Sequence, residues 1–150
     1  MIWDQLKHFK RTEAWGQPEA MNGMLLLLMD AIADQAAVPV IIHCGYEMSG
    51  HAKNSQHKTG GAVDFHLKAN QPFIQQIELI ERILCELQVS KYVGLGIYPD
   101  WNNPGFHLDV RGTMARWGAI NRKNPETGKT EQVYKAHEAV KNVIRGSAAI

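Results

Sequence analysis

Two stretches of the chain carry residues able to do chemistry together. The first is Ser55-Gln56-His57-Lys58-Thr59-Gly60-Gly61-Ala62-Val63-Asp64-Phe65-His66, and the second is Gly105-Phe106-His107-Leu108-Asp109-Val110-Arg111. Two imidazoles and one carboxylate, with a position left for water, make a catalytic zinc set. His57, Asp64 and His107 are therefore the ligand candidates for one Zn2+ per chain, and neither cysteine is placed to supply a softer ligand. A hydrolase also needs a group that takes the proton of water. Asp109 shares a strand face with His107 and is the first candidate. It can equally orient a ligand imidazole through the other ring nitrogen, and the sequence leaves both roles open. Glu47 is a further candidate base. Arg111 can stabilise oxyanion charge, hold a substrate carboxylate, or be a solvated charge at a strand end. Ser55 can hydrogen-bond within its loop, but it has no adjacent base to make it a nucleophile. Tyr98 and Trp101 can wall a cleft that His66 would line.

These residues need elements that aim them. Ala62 to Leu67 reads as a strand, with Val63, Phe65 and Leu67 on one face and Ala62, Asp64 and His66 on the other. Phe106, Leu108 and Val110 alternate in the same way with His107, Asp109 and Arg111. Two adjacent strands would then present the three ligand candidates to one point, and Gly60 and Gly61 let the preceding loop fold back toward Asp64. Val38 to Cys44 is a nearly continuous apolar run, which predicts a strand covered on both faces, with His43 a core residue. Tyr92 to Tyr98 predicts a strand that forms an antiparallel hairpin with the His107 strand. Its Gly94-x-Gly96 lacks the third glycine and following helix of a nucleotide loop. Met21, Met24, Leu25, Leu28, Met29 and Ile32 predict an amphipathic helix from about Pro18 to Ala36. Phe73, Ile77, Ile80, Leu84 and Leu87 predict a second one opening at Asn70-Gln71-Pro72. Val133, Ala136, Val140 and Val143 or Ile144 predict a third, from about 130 to 144, which either docks on the body or serves a partner contact. Residues 1–12, with Trp3 and Phe9, read as an arm or short helix over the core. Thr12 is a possible helix cap ahead of Trp15.

His57-x6-Asp64 within Ser-x-His-x-x-Gly-x-Ala-x-Asp, followed by His107-x-Asp109, resembles the zinc D-Ala-D-Ala carboxypeptidase family. That family is related to lysostaphin-type peptidases and to the hedgehog signalling domain. The resemblance runs from about Phe9 to Trp117 and takes in Phe9-Lys10-x-x-Glu13, Gly94-x-Gly96-Ile97-Tyr98-Pro99 and Arg116-Trp117. It implies hydrolysis of an amide bond next to a D-amino acid in peptidoglycan stem peptides. It also implies an α+β fold in which a small, mainly antiparallel sheet carries the zinc site and helices cover the other face. The chain departs from the pattern twice. Where the family has Ser-Gly-Tyr-Arg, whose arginine binds the substrate carboxylate, this chain has Cys44-Gly45-Tyr46-Glu47. A carboxylate repels a carboxylate, which leaves room for endopeptidase cleavage inside the stem, and His51 and Lys53 are alternative sources of positive charge. Where several relatives place the catalytic carboxylate, three residues before the last ligand histidine, Pro104 stands. The hedgehog domain keeps zinc as a binding module, so a non-catalytic cell-wall or protein binding module, or a phage structural component, is the rival expectation.

The chain has 150 residues, 45% of them hydrophobic and 21% charged, which suits one domain with its own core. A formal net charge of +1 gives no electrostatic footprint for nucleic acid. Cys44 and Cys85 make no disulfide framework and read as two reduced, buried thiols. Met1-Ile2-Trp3-Asp4-Gln5 lacks the form of a signal peptide, and the Leu25 to Met29 run is too short to span a bilayer. The expectation is a cytoplasmically made protein, monomeric or weakly dimeric, without membrane or nucleic-acid partners. Its partner would be bacterial peptidoglycan, reached after release, as phage or prophage endolysins do.

Overall fold

Apolar residues at every second position dictate the centre of the fold. Val63, Phe65 and Leu67 lie in β2 (Ala62–Leu67), and Phe106 and Leu108 in β4 (Gly105–Asp109). All five are buried on one face, where Phe65 and Phe106 stack with centroids 5.4 Å apart. The computed structural model describes residues 1–50 and 54–148, so His51 and Lys53 lie outside the described residues. The chain is α+β, with three helices and a six-stranded, mostly antiparallel open sheet. The other strands are β1 (Val40–Cys44), β3 (Gly94–Tyr98), β5 (Ala115–Lys123) and β6 (Thr130–Ala136). Their order across the sheet is β1-β2-β4-β3-β5-β6, and only β3 and β5 run parallel. The β3–β4 hairpin is antiparallel as its short connection predicts.

Helices α1 (Gly23–Ala36), α2 (Phe73–Glu86) and α3 (His137–Ala148) pack on the apolar face, joining Leu25, Ile32, Ile80, Leu84 and Val140 to one core. α1 starts at Gly23 rather than Pro18. The Asn22 side chain accepts from Leu25 N at 3.2 Å and caps it, while Pro18–Ala20 forms a separate 3-10 turn. Met24 faces solvent, although its spacing suggests the apolar stripe. α2 opens after Pro72 as expected, with Ile77, Ile80 and Leu84 fully buried. The N-terminal arm holds Trp3 and Phe9 edge-on against the fully buried Trp15, and no helix follows Thr12.

Three further sequence expectations fail for physical reasons. The third helix does not begin near 130: Thr130–Ala136 is β6, paired with β5 along its whole length, and α3 starts only at His137. Val133, Ala136 and Val140 happen to fall at helical spacing across that boundary, but β5 needs an edge partner and Thr130, Val133 and Tyr134 suit a strand. β1 is covered on one face only, with Ile41 and His43 exposed opposite the core, so His43 is not a core residue. Cys85 is exposed on the outer side of α2 and Cys44 is half-buried, so the pair of buried thiols is not found. Among the described residues no helix is long and apolar enough to cross a membrane.

Candidate metal centre

The face of the sheet away from the helices carries one register row of chemistry. Cys44 pairs with Asp64, Asp64 with His107, His107 with Gly96, Gly96 with Trp117, and Trp117 with Ala136. Asp64 and His107 are thus direct neighbours across the β2–β4 ladder, with His107 Nδ1 3.0 Å from Asp64 Oδ1. His57 reaches the same oxygen from outside the sheet, its Nε2 at 3.2 Å. It sits in a 3-10 turn, Gln56–Thr59, that Ser55 caps by accepting from His57 N at 3.2 Å. Gly60 ends that turn at φ +74°, and a Cβ there would run into the Ala20 carbonyl oxygen. Ser55 therefore shapes the His57 turn.

The second nitrogen of each ring is committed elsewhere. His57 Nδ1 lies 2.7 Å from the Gly45 carbonyl, which can only accept, so this nitrogen carries the hydrogen. His107 Nε2 lies 2.7 Å from Asp109 Oδ2 and donates likewise. The nitrogens facing Asp64 then either carry a second proton, making each ring an imidazolium, or offer lone pairs beside a carboxylate to one shared cation. Imidazoles whose far N–H is held by a carbonyl or carboxylate are the usual form of histidine metal ligands. No family model matches this chain, and no curated protein or solved structure matches it either.

The electrostatics follow from this arrangement. Burial alone would raise the Asp64 carboxyl, but hydrogen bonds from His107 and His57, reinforced by their charges, hold it at about 2. Burial would lower His107, yet hydrogen bonds to Asp109 and Asp64 and their charges raise it above the ordinary imidazole value. Asp109 is fully buried behind His107 and bound by Arg111 through Nε to Oδ1 and Nη2 to Oδ2, both 2.7 Å. Its burial penalty is overturned by Arg111 and then His107, so it stays ionised far below the carboxylate range. His107 and Arg111 thus occupy both oxygens of Asp109. Arg111 is locked to Asp109 and lies 5.0 Å from the Trp117 ring centre, still reaching the cleft wall. Gly94 makes room for that pair, since a Cβ there would meet Asp109 and Arg111 side-chain atoms at 2.7 Å.

Cys44 belongs to this cluster, against the expectation that neither cysteine is placed as a ligand. A register shift between Ile42 and Cys44 turns its thiol to the open face beside Asp64. Donor atoms of Cys44, His57 and Asp64 all lie within 4.8 Å of one another, a group able to hold a metal ion. Burial first, then a hydrogen bond to Glu47, push the thiol well above its ordinary value, and Cys44 Sγ donates to Glu47 Oε2 at 2.9 Å. Glu47 is thereby brought to the border of the donor group, its side chain exposed.

A cleft of about 390 Å³ opens over His57, Asp64 and His107. Tyr98 lines it, its ring stacked on Trp101 with centroids 4.2 Å apart and its hydroxyl accepting from Trp117 Nε1 at 2.9 Å. Burial raises the Tyr98 hydroxyl to about 12 against the opposing Trp117 bond. Gly96 lets both rings lie over the sheet, because a Cβ there would sit 2.9 Å from each. Gln132 and Tyr134 of β6 complete the rim. Sequence reading missed them because it placed them on a helix; read as a strand, their alternation would have put them together on one face. His66 is not part of this cleft and contacts His43 instead.

Proposed function

We propose that the chain is a zinc-dependent hydrolase of amide bonds in bacterial peptidoglycan stem peptides, of the zinc D-Ala-D-Ala carboxypeptidase type. The reading rests on one observation: His57 Nε2 and His107 Nδ1 both face Asp64 Oδ1, within 3.2 Å, while their other ring nitrogens are held by Gly45 O and Asp109. The His57-x6-Asp64 and His107-x-Asp109 motifs and an open sheet with helices on one face support the same fold type. His57, Asp64 and His107 would hold one zinc, a donor set that suits this ion. The chemistry a bound zinc supplies is Lewis acidity toward a carbonyl and activation of water near neutral pH.

The chain's own groups do the rest. Gly45 O and Asp109 keep both imidazoles in the tautomer that points a lone pair inward. Glu47, which accepts from Cys44 Sγ at the edge of the donor group and outside the residues lining the cleft, would take the proton of the attacking water only by turning toward it. Tyr98 keeps its hydrogen because burial holds its hydroxyl protonated, and it can donate that hydrogen into the cleft while accepting from Trp117 Nε1. Trp101 and Tyr134 give apolar walls on which a peptide can lie. Arg111 is tied to Asp109, and Glu47 stands where the family carries arginine, so no strong clamp for a terminal carboxylate is built among the described residues. This favours endopeptidase over carboxypeptidase cleavage. Action on the wall would follow release, as by a phage or prophage endolysin.

A second reading has its own observation. Cys44 stands beside His57 and Asp64 as a further donor. A cysteine completing the coordination would close the centre, as in structural zinc sites, and would suit a non-catalytic wall-binding module. The test is to quantify zinc in wild type and His57→Ala and to analyse soluble fragments from purified peptidoglycan by mass spectrometry. One zinc per chain, lost in the variant along with defined peptide fragments, supports the hydrolase. Zinc without fragments across wall types supports the closed centre, and absence of zinc binding sinks both.

A further inference from the structure

A second pair of imidazoles stands on the same open face, next to the donor group but outside it. The bulge in β1 produces it. In a regular strand His43 and Cys44 would point to opposite faces. The shift between Ile42 and Cys44 pairs Cys44 with Asp64, while His43 meets His66 on the same side of the sheet. Two successive residues of one strand thus serve two different clusters. Bulges at sheet edges commonly re-aim side chains in this way, and β1 is an edge strand.

His43 Nε2 and His66 Nδ1 are in direct contact, with ring centroids 4.7 Å apart and planes at 87°. Only one hydrogen fits between two such nitrogens. When that hydrogen moves to the other nitrogen of its own ring, two lone pairs of neutral imidazoles converge on one point, reachable from solvent because His43 is exposed. An ion bound at ~2.0–2.1 Å from each nitrogen needs them only modestly farther apart, within reach of a rotation of the exposed His43 ring. Trp101 stacks on His43 at 6.3 Å and 23°, fixing the outer side of the pair.

We propose that His43 and His66 form a second cation site, separate from the Cys44–His57–Asp64 group. Its ligand class is a late first-row divalent ion that favours imidazole, Cu2+ or Ni2+ ahead of Zn2+, with solvent completing the coordination. The preference follows from an all-nitrogen protein donor set and the usual affinity order of these ions. The site stands whether or not the chain is a hydrolase.

The experiment is calorimetric titration of tag-free protein with NiCl2 and CuCl2, in wild type, His43→Gln, His66→Gln, His8→Gln and His57→Ala. The expected result is one equivalent, distinct from any taken up by the Cys44–His57–Asp64 group, that His43→Gln and His66→Gln each weaken by at least about tenfold. His57→Ala and His8→Gln leave that equivalent in place. Cu2+ filling it quenches tryptophan emission, and Trp101→Phe removes most of that quenching. Binding unchanged in both His43→Gln and His66→Gln, loss in only one of the two, or loss in His57→Ala or His8→Gln would overturn the proposal. A wild type whose single equivalent depends on His43 and His66 but not on His57 would uphold this site while refuting the zinc centre of the proposed hydrolase.

Discussion

Asp109→Asn is the sharpest test of how the centre is held. The substitution keeps the size of a fully buried side chain but removes its charge and turns one acceptor into a donor. Asp109 now accepts from His107 Nε2 and from Arg111 Nε and Nη2, each at 2.7 Å. An amide has one oxygen for these donors. If that oxygen stays with Arg111, the amide N–H₂ faces His107 Nε2–H, and the imidazole relieves the clash by moving its proton to Nδ1. That nitrogen faces Asp64, so the proton takes the place a cation would share. Loss of one hydrogen bond to a charged group costs ~1.5–3 kcal/mol. Removing an orienting partner from a ligand histidine typically weakens metal binding about 10–100-fold, which is ~1.4–2.8 kcal/mol, so the two magnitudes agree. The assay is zinc affinity by competition with a chromophoric chelator, with a urea melt of the metal-free variant to establish that it folds. A folded Asp109→Asn protein that binds zinc within about twofold of wild type would refute the orienting role.

Two further outcomes follow from the packing. Glu81 receives His137 Nε2 at 2.6 Å and Lys141 Nζ at 2.7 Å; burial would raise its carboxyl, but these bonds lower it from 4.5 to about 2. The folded-state value is depressed, so the stabilisation is present above about pH 4.5 and is lost as pH falls toward 2. Glu81 is partly exposed, and after screening Glu81→Gln loses about 1–2 kcal/mol at pH 7, a difference that narrows below pH 4.5 in urea midpoints measured across that range; a gap constant with pH would contradict the linkage. Gly96→Ala forces a methyl against Trp117 and Tyr98 and costs ~1–3 kcal/mol by overpacking. It also changes the near-ultraviolet circular dichroism of the stacked rings, and an unaltered spectrum and midpoint would show that the rings do not depend on that gap.

Much of this architecture can be read from local pattern. Val63, Phe65 and Leu67 alternate with Ala62, Asp64 and His66, and that alternation places Asp64 away from the core. The same rule places His107, and the short Pro99–Gly105 link joins β3 and β4 as a hairpin. What escapes is whatever depends on pairing with a distant strand. Cys44 looks like one more residue of an apolar run until a one-residue bulge, set by the β1–β2 register, turns it beside Asp64. His43 is misread for the same reason, since only the sheet order makes β1 an edge with one open face. Thr130–Ala136 adopts a strand because β5 offers it a ladder, although Val133, Ala136 and Val140 fit a helix equally well.

The register row across the sheet has a kinetic consequence. Asp64 and His107 are 43 residues apart in the chain and meet only across the β2–β4 ladder. Between them lie α2, β3 and the hairpin turn, so neither half of the polypeptide can bring His107 to His57 and Asp64 alone. Pairings of such long sequence separation form slowly, because loop closure must precede the contacts that reward it. An ion that needed His107 as well as His57 and Asp64 would bind after chain collapse rather than during it. Its stabilisation then appears mainly as slower unfolding, with little change in the rate of folding. The filled centre would act as a latch on the finished sheet, and its release would mark the first step by which the native state is lost.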